Sequence, residues 1–310
     1  MRASLGLPTH RVDGELCTAD AIAELATAAE AAGYDAVFVT DHPFPTDRWL
    51  ATGGHHALDP FVALSFAAAA TTRLRLHTNL LVLAYRNPFV AAKAIASLDA
   101  LSGGRVIVGI GAGYLEGEFA ALGADYEARN DLTDDAIVAM RAAWTGGTVE
   151  ADGRGWRAGG NTMRPRPAQQ PGPPIWVGGN SHRAIRRAVE LADGWMPMPS
   201  PAGSERRLRT PPITSHTDLA DRIGYAREHA ATVGRTAPLE IVFMPDGLDM
   251  FSNADVDARR TIESIKALAG LGVTYLTVTL PGDTRREFVD RLQRFAERVL
   301  EPVASLEALP

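Results

Sequence analysis

Four short stretches of the chain carry side chains and spacings that could do chemistry. Asp41 and His42 stand side by side directly after an apolar run, Ala36 to Thr40. A histidine can exchange a proton near neutral pH, and an adjacent carboxylate can hold it or a ligand. The plainer alternative is a turn that Asp41 caps. His77-Thr78-Asn79-Leu80 places polar residues inside an apolar segment, the pattern of a bulge or of a polar contact at a strand end. In Gly109-Ile110-Gly111-Ala112-Gly113-Tyr114 three alternate glycines would let a flat ligand or its linker lie against bare backbone. Glu116 and Glu118 follow and suit the start of a helix. Finally, Pro174-Ile175-Trp176-Val177-Gly178-Gly179-Asn180-Ser181 ends an apolar run in two glycines and a capping pair, then enters His182 to Ala188. Glycines admit close approach and first-turn N–H groups attract anions, so this is the chemistry of a phosphate cradle. A well-capped strand-to-helix turn is spelled the same way.

Other chemistries have little support. His55-His56 is a poor spacing for metal ligands on a regular element, so no metal site is expected. No nucleophile triad, catalytic lysine or carboxylate pair stands out. Cys17 is the one cysteine and excludes an intramolecular disulfide or a cysteine metal cluster.

Alternating strands and helices must position these stretches. Ala3 to Leu7, Ala36 to Thr40, Leu74 to Leu83 and Arg105 to Ile110 read as strands, as do the Ile175 run, a short segment near Trp195, Leu239 to Phe243 and Tyr275 to Thr279. Between them helices are expected over Ala19 to Ala32, Asp59 to Ala70, Pro88 to Leu101, Asp131 to Trp144, the stretch ending at Ala192, Leu219 to Thr232, Val256 to Ala269 and Arg285 to Val299. Gly146 to Pro174 breaks the rhythm and reads as a hairpin and loop. Irregular loops are also expected near 43–58 and 197–216. About eight strand–helix pairs predict a (β/α)8 TIM barrel in a single domain over 1–310, with insertions after strands. The absence of Gly-x-Gly-x-x-Gly after the first strand argues against a Rossmann fold. In such a barrel, chemistry sits at the C-terminal strand ends, where all four stretches fall.

The chain has 310 residues, 46% of them apolar, and a net charge of −6. That charge argues against nucleic-acid or anionic-membrane partners. No apolar window approaches a membrane span, and Met1 to Leu7 is too short in apolar residues for a signal peptide, so the expected location is the cytoplasm. A small-molecule substrate is the expected partner.

In that order, the motifs resemble the luciferase-like monooxygenase superfamily over nearly the whole chain. The most specific parts are Tyr34 to His42, Tyr85-Arg86-Asn87-Pro88-Phe89 with Lys93, Leu98 to Arg105, Gly109 to Phe119, Pro174 to Asn180, and Asp193-Gly194-Trp195. Within it the chain looks more like the branch that uses the deazaflavin coenzyme F-420 as a hydride carrier, because Asp41-His42 matches the pair which that branch places beside the ring. The alternative branch uses reduced FMN and oxygen. The resemblance implies an oxidoreductase moving a hydride between coenzyme F-420 and a small organic substrate. By position, His42 would handle the proton and Asp41 would contact the ring edge. A non-prolyl cis bond between Asn79 and Leu80 would support the ring, although the family residue before that bond is usually small. Ala112 and Gly113 would line the ribityl chain with Glu118 nearby, and Gly178, Gly179 and Asn180 would hold the phosphate. Sugar-phosphate dehydrogenases of this branch have a catalytic glutamate where this chain has Tyr114, which argues against glucose 6-phosphate. Relatives are commonly dimers, implying a homodimer. The arginine and alanine richness fits a GC-rich actinobacterial genome.

Overall fold

Most of the main helices are fixed at their start by a side chain that takes up first-turn N–H groups left over by helix geometry. Thr18 accepts from Ala21 N–H ahead of the helix Ala19–Ala31. Asp59 and Asn87 do so ahead of Pro60–Ala70 and Pro88–Ser102, each with proline in the first turn, where a missing N–H costs nothing. Ser215 forms a reciprocal capping box with Asp218. The helix Pro88–Ser102 stops at Gly103, whose φ of 72° is the left-handed turn that glycine adopts freely.

The computed structural model describes residues 1–10, 12, 14–248 and 255–306. The expected strands are β1 (Arg2–Gly6), β2 (Ala36–Val39), β3 (Arg75–Val82) and β4 (Val106–Gly111). After the hairpin β5 (Val149–Gly153) and β6 (Trp156–Asn161) come β7 (Ile175–Gly178), β8 (Gly194–Met196), β9 (Glu240–Phe243) and β10 (Tyr275–Val278). Except for the hairpin, which pairs only with itself, they form a closed parallel barrel in the order β1-β2-β3-β4-β7-β8-β9-β10, β10 returning to β1 with Arg2 opposite Tyr275. This is the eight-fold barrel expected from the sequence.

Two layers make the core. Strand residues such as Val37, Leu76 and Val108 pack outward on helix residues such as Leu25, Leu64 and Ile95. Ala36, Ile107, Trp176, Met196, Val242 and Tyr275 fill the barrel interior. His77 is also inside, fully buried, with Nδ1 3.1 Å from Ser4 Oγ and its ring 5.0 Å from Trp176. The polar letter within β3 is therefore an interior group, whereas the bulge expected there is real. The register of β3 on β4 shifts between Thr78 and Leu81, and the Asn79–Leu80 peptide is cis.

The irregular stretches carry more structure than expected. The 43–58 loop contains the short helix Asp47–Leu50, and 197–216 contains Glu205–Leu208 and a bridge from Ser200 to Ile213. The last helix runs Arg285–Phe295 and loosens to a π-turn over Ala296–Leu300. No helix is long and apolar enough to cross a membrane, and no cluster of potential metal ligands occurs, among the described residues.

Candidate active site

The barrel rim gathers ends of β2, β3, β4 and β7, and with them most of the residues singled out above. His42 lies one residue beyond Asp41 at the end of β2. Its Nδ1 is 3.4 Å from Glu118 Oε2. Glu118, on the helix Glu116–Ala121, is fully buried. It also accepts from Tyr85 Oη at 2.9 Å and from Phe44 N–H at 3.2 Å. Burial and the Glu118 carboxylate both push the Tyr85 hydroxyl up, so Tyr85 stays a donor to that carboxylate. A carboxylate at Nδ1 selects the tautomer that leaves Nε2 as a lone-pair base. His42 is thus an oriented proton acceptor, packed against Trp49 at 4.6 Å and His55 at 5.0 Å between ring centres.

Tyr114 closes this cluster, its ring 6.4 Å from that of His42. Burial, and then Glu118, push its hydroxyl up to about 12. It keeps its proton at neutral pH and is uncharged there, unlike the glutamate that sugar-phosphate dehydrogenases of the resembled branch carry at this position. His55 is driven the other way. Burial and the neighbouring histidines lower it to about 4, so it is neutral. Trp49 and His55 come from the 43–58 loop, and sequence reasoning gave neither a role in the site. Tyr85 was visible only as a letter in a motif.

Asp41 is buried, and each carboxylate oxygen has a donor from the protein. One accepts from Arg86 at 2.8 Å and the other from Val82 N–H at 3.1 Å. Burial nevertheless raises its carboxyl overall, because desolvation outweighs Arg86. Asp41 thus fastens the end of β3 to β2, and Glu118 lies against His42 Nδ1.

Asn180 is fully buried and spends its whole amide on the protein. Nδ2 donates to Met198 and Pro211 carbonyls, each at 2.9 Å, and Oδ1 accepts from Met198 N–H at 3.0 Å. Its own N–H donates to Thr210 Oγ1. Asn180 therefore staples the 197–211 segment.

The glycines also serve the fold more than a ligand. A Cβ at Gly109 would lie 2.1 Å from Thr78 O, at Gly113 2.8 Å from Phe119, and at Gly178 2.4 Å from Leu80 Cδ1. At these positions the absent side chain makes room for Thr78, Phe119 and Leu80 atoms. Gly179 has φ at 107°, a conformation suited to glycine, a Cβ there would meet only ordinary contacts at 3.4 Å or more, and its carbonyl accepts from Trp195 Nε1.

What remains fits a flat ring with an anionic tail. Asn79 and Leu80 are half-buried at the β3 bulge, with Leu80 lying across Gly111 and Gly178. Ala112 is half-buried at the end of β4. Beyond Gly179 starts the ten-residue helix His182–Leu191. Its cap Ser181 takes up Ala184 N–H and leaves the earlier first-turn donors for an anion.

Comparison with known proteins agrees with this architecture. An uncharacterized protein of Mycobacterium tuberculosis is 32% identical over 299 residues, covering 90% of this chain and 94% of its own. An F-420-dependent glucose-6-phosphate dehydrogenase of Beutenbergia cavernae is 30% identical over 321 residues, covering 90% of this chain and 92% of its own. Among solved structures, the monooxygenase RslO1 from Streptomyces bottropensis superposes with a TM-score of 0.79 at 22% identity, over 97% of this chain and 99% of its own. The family model for luciferase-like monooxygenases matches residues 3–210, which include His42, Glu118, the β3 bulge and the Gly179 turn. With the closed barrel and these rim residues in place, the chain belongs to the luciferase-like monooxygenase family.

Proposed function

We propose that the protein is an oxidoreductase that moves a hydride between the deazaflavin coenzyme F-420 and a small organic substrate. The observation that carries this reading is His42 held by buried Glu118, a proton acceptor positioned beside the bulge on which a ring would rest. A relative 30% identical over nearly the full chain, named as F-420-dependent, supports the choice of coenzyme.

When bound, the coenzyme supplies a hydride-accepting carbon. The chain supplies the rest. Leu80 and Asn79 would support one ring face, and Ala112 would border the linker. The turn at Gly178 and Gly179 and the first-turn N–H groups beyond it would receive the phosphate. His42 Nε2 would take the hydroxyl proton as a substrate C–H is oxidised, and return it in the reverse direction. Glu118 stabilises the resulting imidazolium, and Tyr85 and Phe44 N–H hold Glu118 in place. Trp49 shields His42 from solvent. Tyr114, a neutral hydroxyl at neutral pH, does not replace the glutamate of sugar-phosphate dehydrogenases, so glucose 6-phosphate is not the proposed substrate.

Titration of the purified protein with coenzyme F-420 and with FMN, read by tryptophan quenching, tests this. Micromolar or tighter saturation by the deazaflavin, with weak FMN binding, is expected. The reverse preference would replace this reading with a flavin-dependent monooxygenase.

A further inference from the structure

Beside His42, between the ends of β1, β2 and β10, lies a pocket that the proton-handling cluster does not use. It has a volume of about 20 Å³, room for a water-sized group. Its apolar walls include Leu7, Phe38 and Leu280, and its polar groups include Thr40, His55 and Thr279. Thr279 is 6% exposed, and its Oγ1 is buried without a hydrogen-bond partner among the described residues. A buried hydroxyl left unpaired costs about 1–3 kcal/mol, so a partner in the functional state is the physical expectation. Thr40 Oγ1 lies 3.4 Å from His55 Nε2, and His55 bridges the pocket to His42 by ring contact.

The pocket chemistry is uncharged. Among the described residues no lysine, arginine or carboxylate lines it. Two histidines line it, His10 and His55, with rings 6.1 Å apart; His55 is kept neutral by burial and by its histidine neighbours. A phosphate or carboxylate placed here would lose its water and gain no cation, which costs several kcal/mol. A hydroxyl or carbonyl oxygen would pair with Thr279 and complete its hydrogen bonding.

We propose that Thr279 anchors one uncharged oxygen group of the substrate, which makes the substrate a small neutral molecule with a second hydroxyl or carbonyl beyond the reacting carbon. This rests on the oxidoreductase reading above for its kinetic test, but the pocket can also be tested without coenzyme.

With coenzyme F-420 bound, the probes are cyclohexane-1,2-diol, cyclohexanol, lactate and glucose 6-phosphate, read by loss of deazaflavin absorbance. The diol should be turned over in preference to the mono-alcohol, and the two anions should not react. Thr279→Val keeps the shape and removes the hydroxyl. It should raise KM for the diol about tenfold, equivalent to one hydrogen bond, and remove the preference over cyclohexanol. Turnover of an anion only, of no probe by a coenzyme-loaded protein, or an unchanged preference in Thr279→Val would overturn the proposal. Saturation-transfer NMR of the diol on coenzyme-free protein provides the second arm. Its signal should weaken in Thr279→Val, and an equal or absent signal in both proteins would count against the pocket even if no coenzyme bound. Failure of coenzyme binding with a diol signal sensitive to Thr279 would instead overturn only the oxidoreductase reading.

Discussion

A single imidazole carries the proposed chemistry, and its usefulness depends on what grips its other nitrogen. Replacing His42 with alanine is expected to lower kcat by about 10²–10⁴-fold while coenzyme affinity stays unchanged, measured by stopped-flow hydride transfer and quenching titration. Glu118→Gln keeps the size of the side chain but places an amide at Nδ1, so a smaller loss in kcat with little change in KM is expected from the same measurements. Equal losses in both variants would show that Glu118 does more than orient. Asp41-His42 was legible in the sequence because a strand end dictates where both residues stand. What each does was not legible. Asp41 turned out to be bound by Arg86, 45 positions away, and His42 by Glu118, 76 positions away. Such pairings follow from closure of the barrel, not from local spacing.

Two turns show how segments constrain one another. Asn180→Ala would leave the Met198 and Pro211 carbonyls and the Met198 N–H without their partner, and a loss of about 3 kcal/mol in urea denaturation is expected. The same variant should free the 197–211 segment, so trypsin should cut at the exposed Arg206 and Arg207 faster than in the parent protein. Gly178→Ala would push a methyl into the space of Leu80 Cδ1, at a cost of about 2 kcal/mol. Adding Leu80→Ala should restore part of that, because the two changes share one contact. If the double variant is no more stable than Gly178→Ala, the clash is not the cause. The glycine pattern looked in sequence like room for a ligand. It is room for the neighbouring strand's side chains, since a glycine reveals that something approaches and not what.

For the molecule as a whole, alternating apolar strands and capped helices made the barrel legible from the sequence, because each strand is buried on both faces. The 43–58 and 197–216 segments were not legible, since each carries only one four-residue helix, too short for an apolar period to show. The barrel interior adds a pH dependence. Burial lowers His77 from 6.5 to about 3. The unfolded chain therefore binds a proton that the folded one refuses. This contribution to stability is complete above pH 6.5 and is lost progressively as pH falls toward 3. Between pH 7 and 5 the parent should lose about 2 kcal/mol more unfolding free energy than His77→Gln, measured in urea at both pH values. An identical loss would show that His77 is not the group that titrates.

The self-paired hairpin β5–β6 stands midway in the barrel, with four strands before it and four after. Its turn at Arg154 and Gly155 is exposed. A chain cut there would yield two four-strand halves, joined in the whole barrel by β4 on β7 and β1 on β10 and by ion pairs such as that of Arg187 with Asp134. The halves also divide the labour. Asp41, His42, Leu80 and Glu118 stay with the first fragment, while the Gly178–Gly179 turn and Thr279 go with the second. Reassembly of two separately expressed fragments would rejoin a proton-handling half to an anchoring half, making catalysis itself a reporter of fragment complementation.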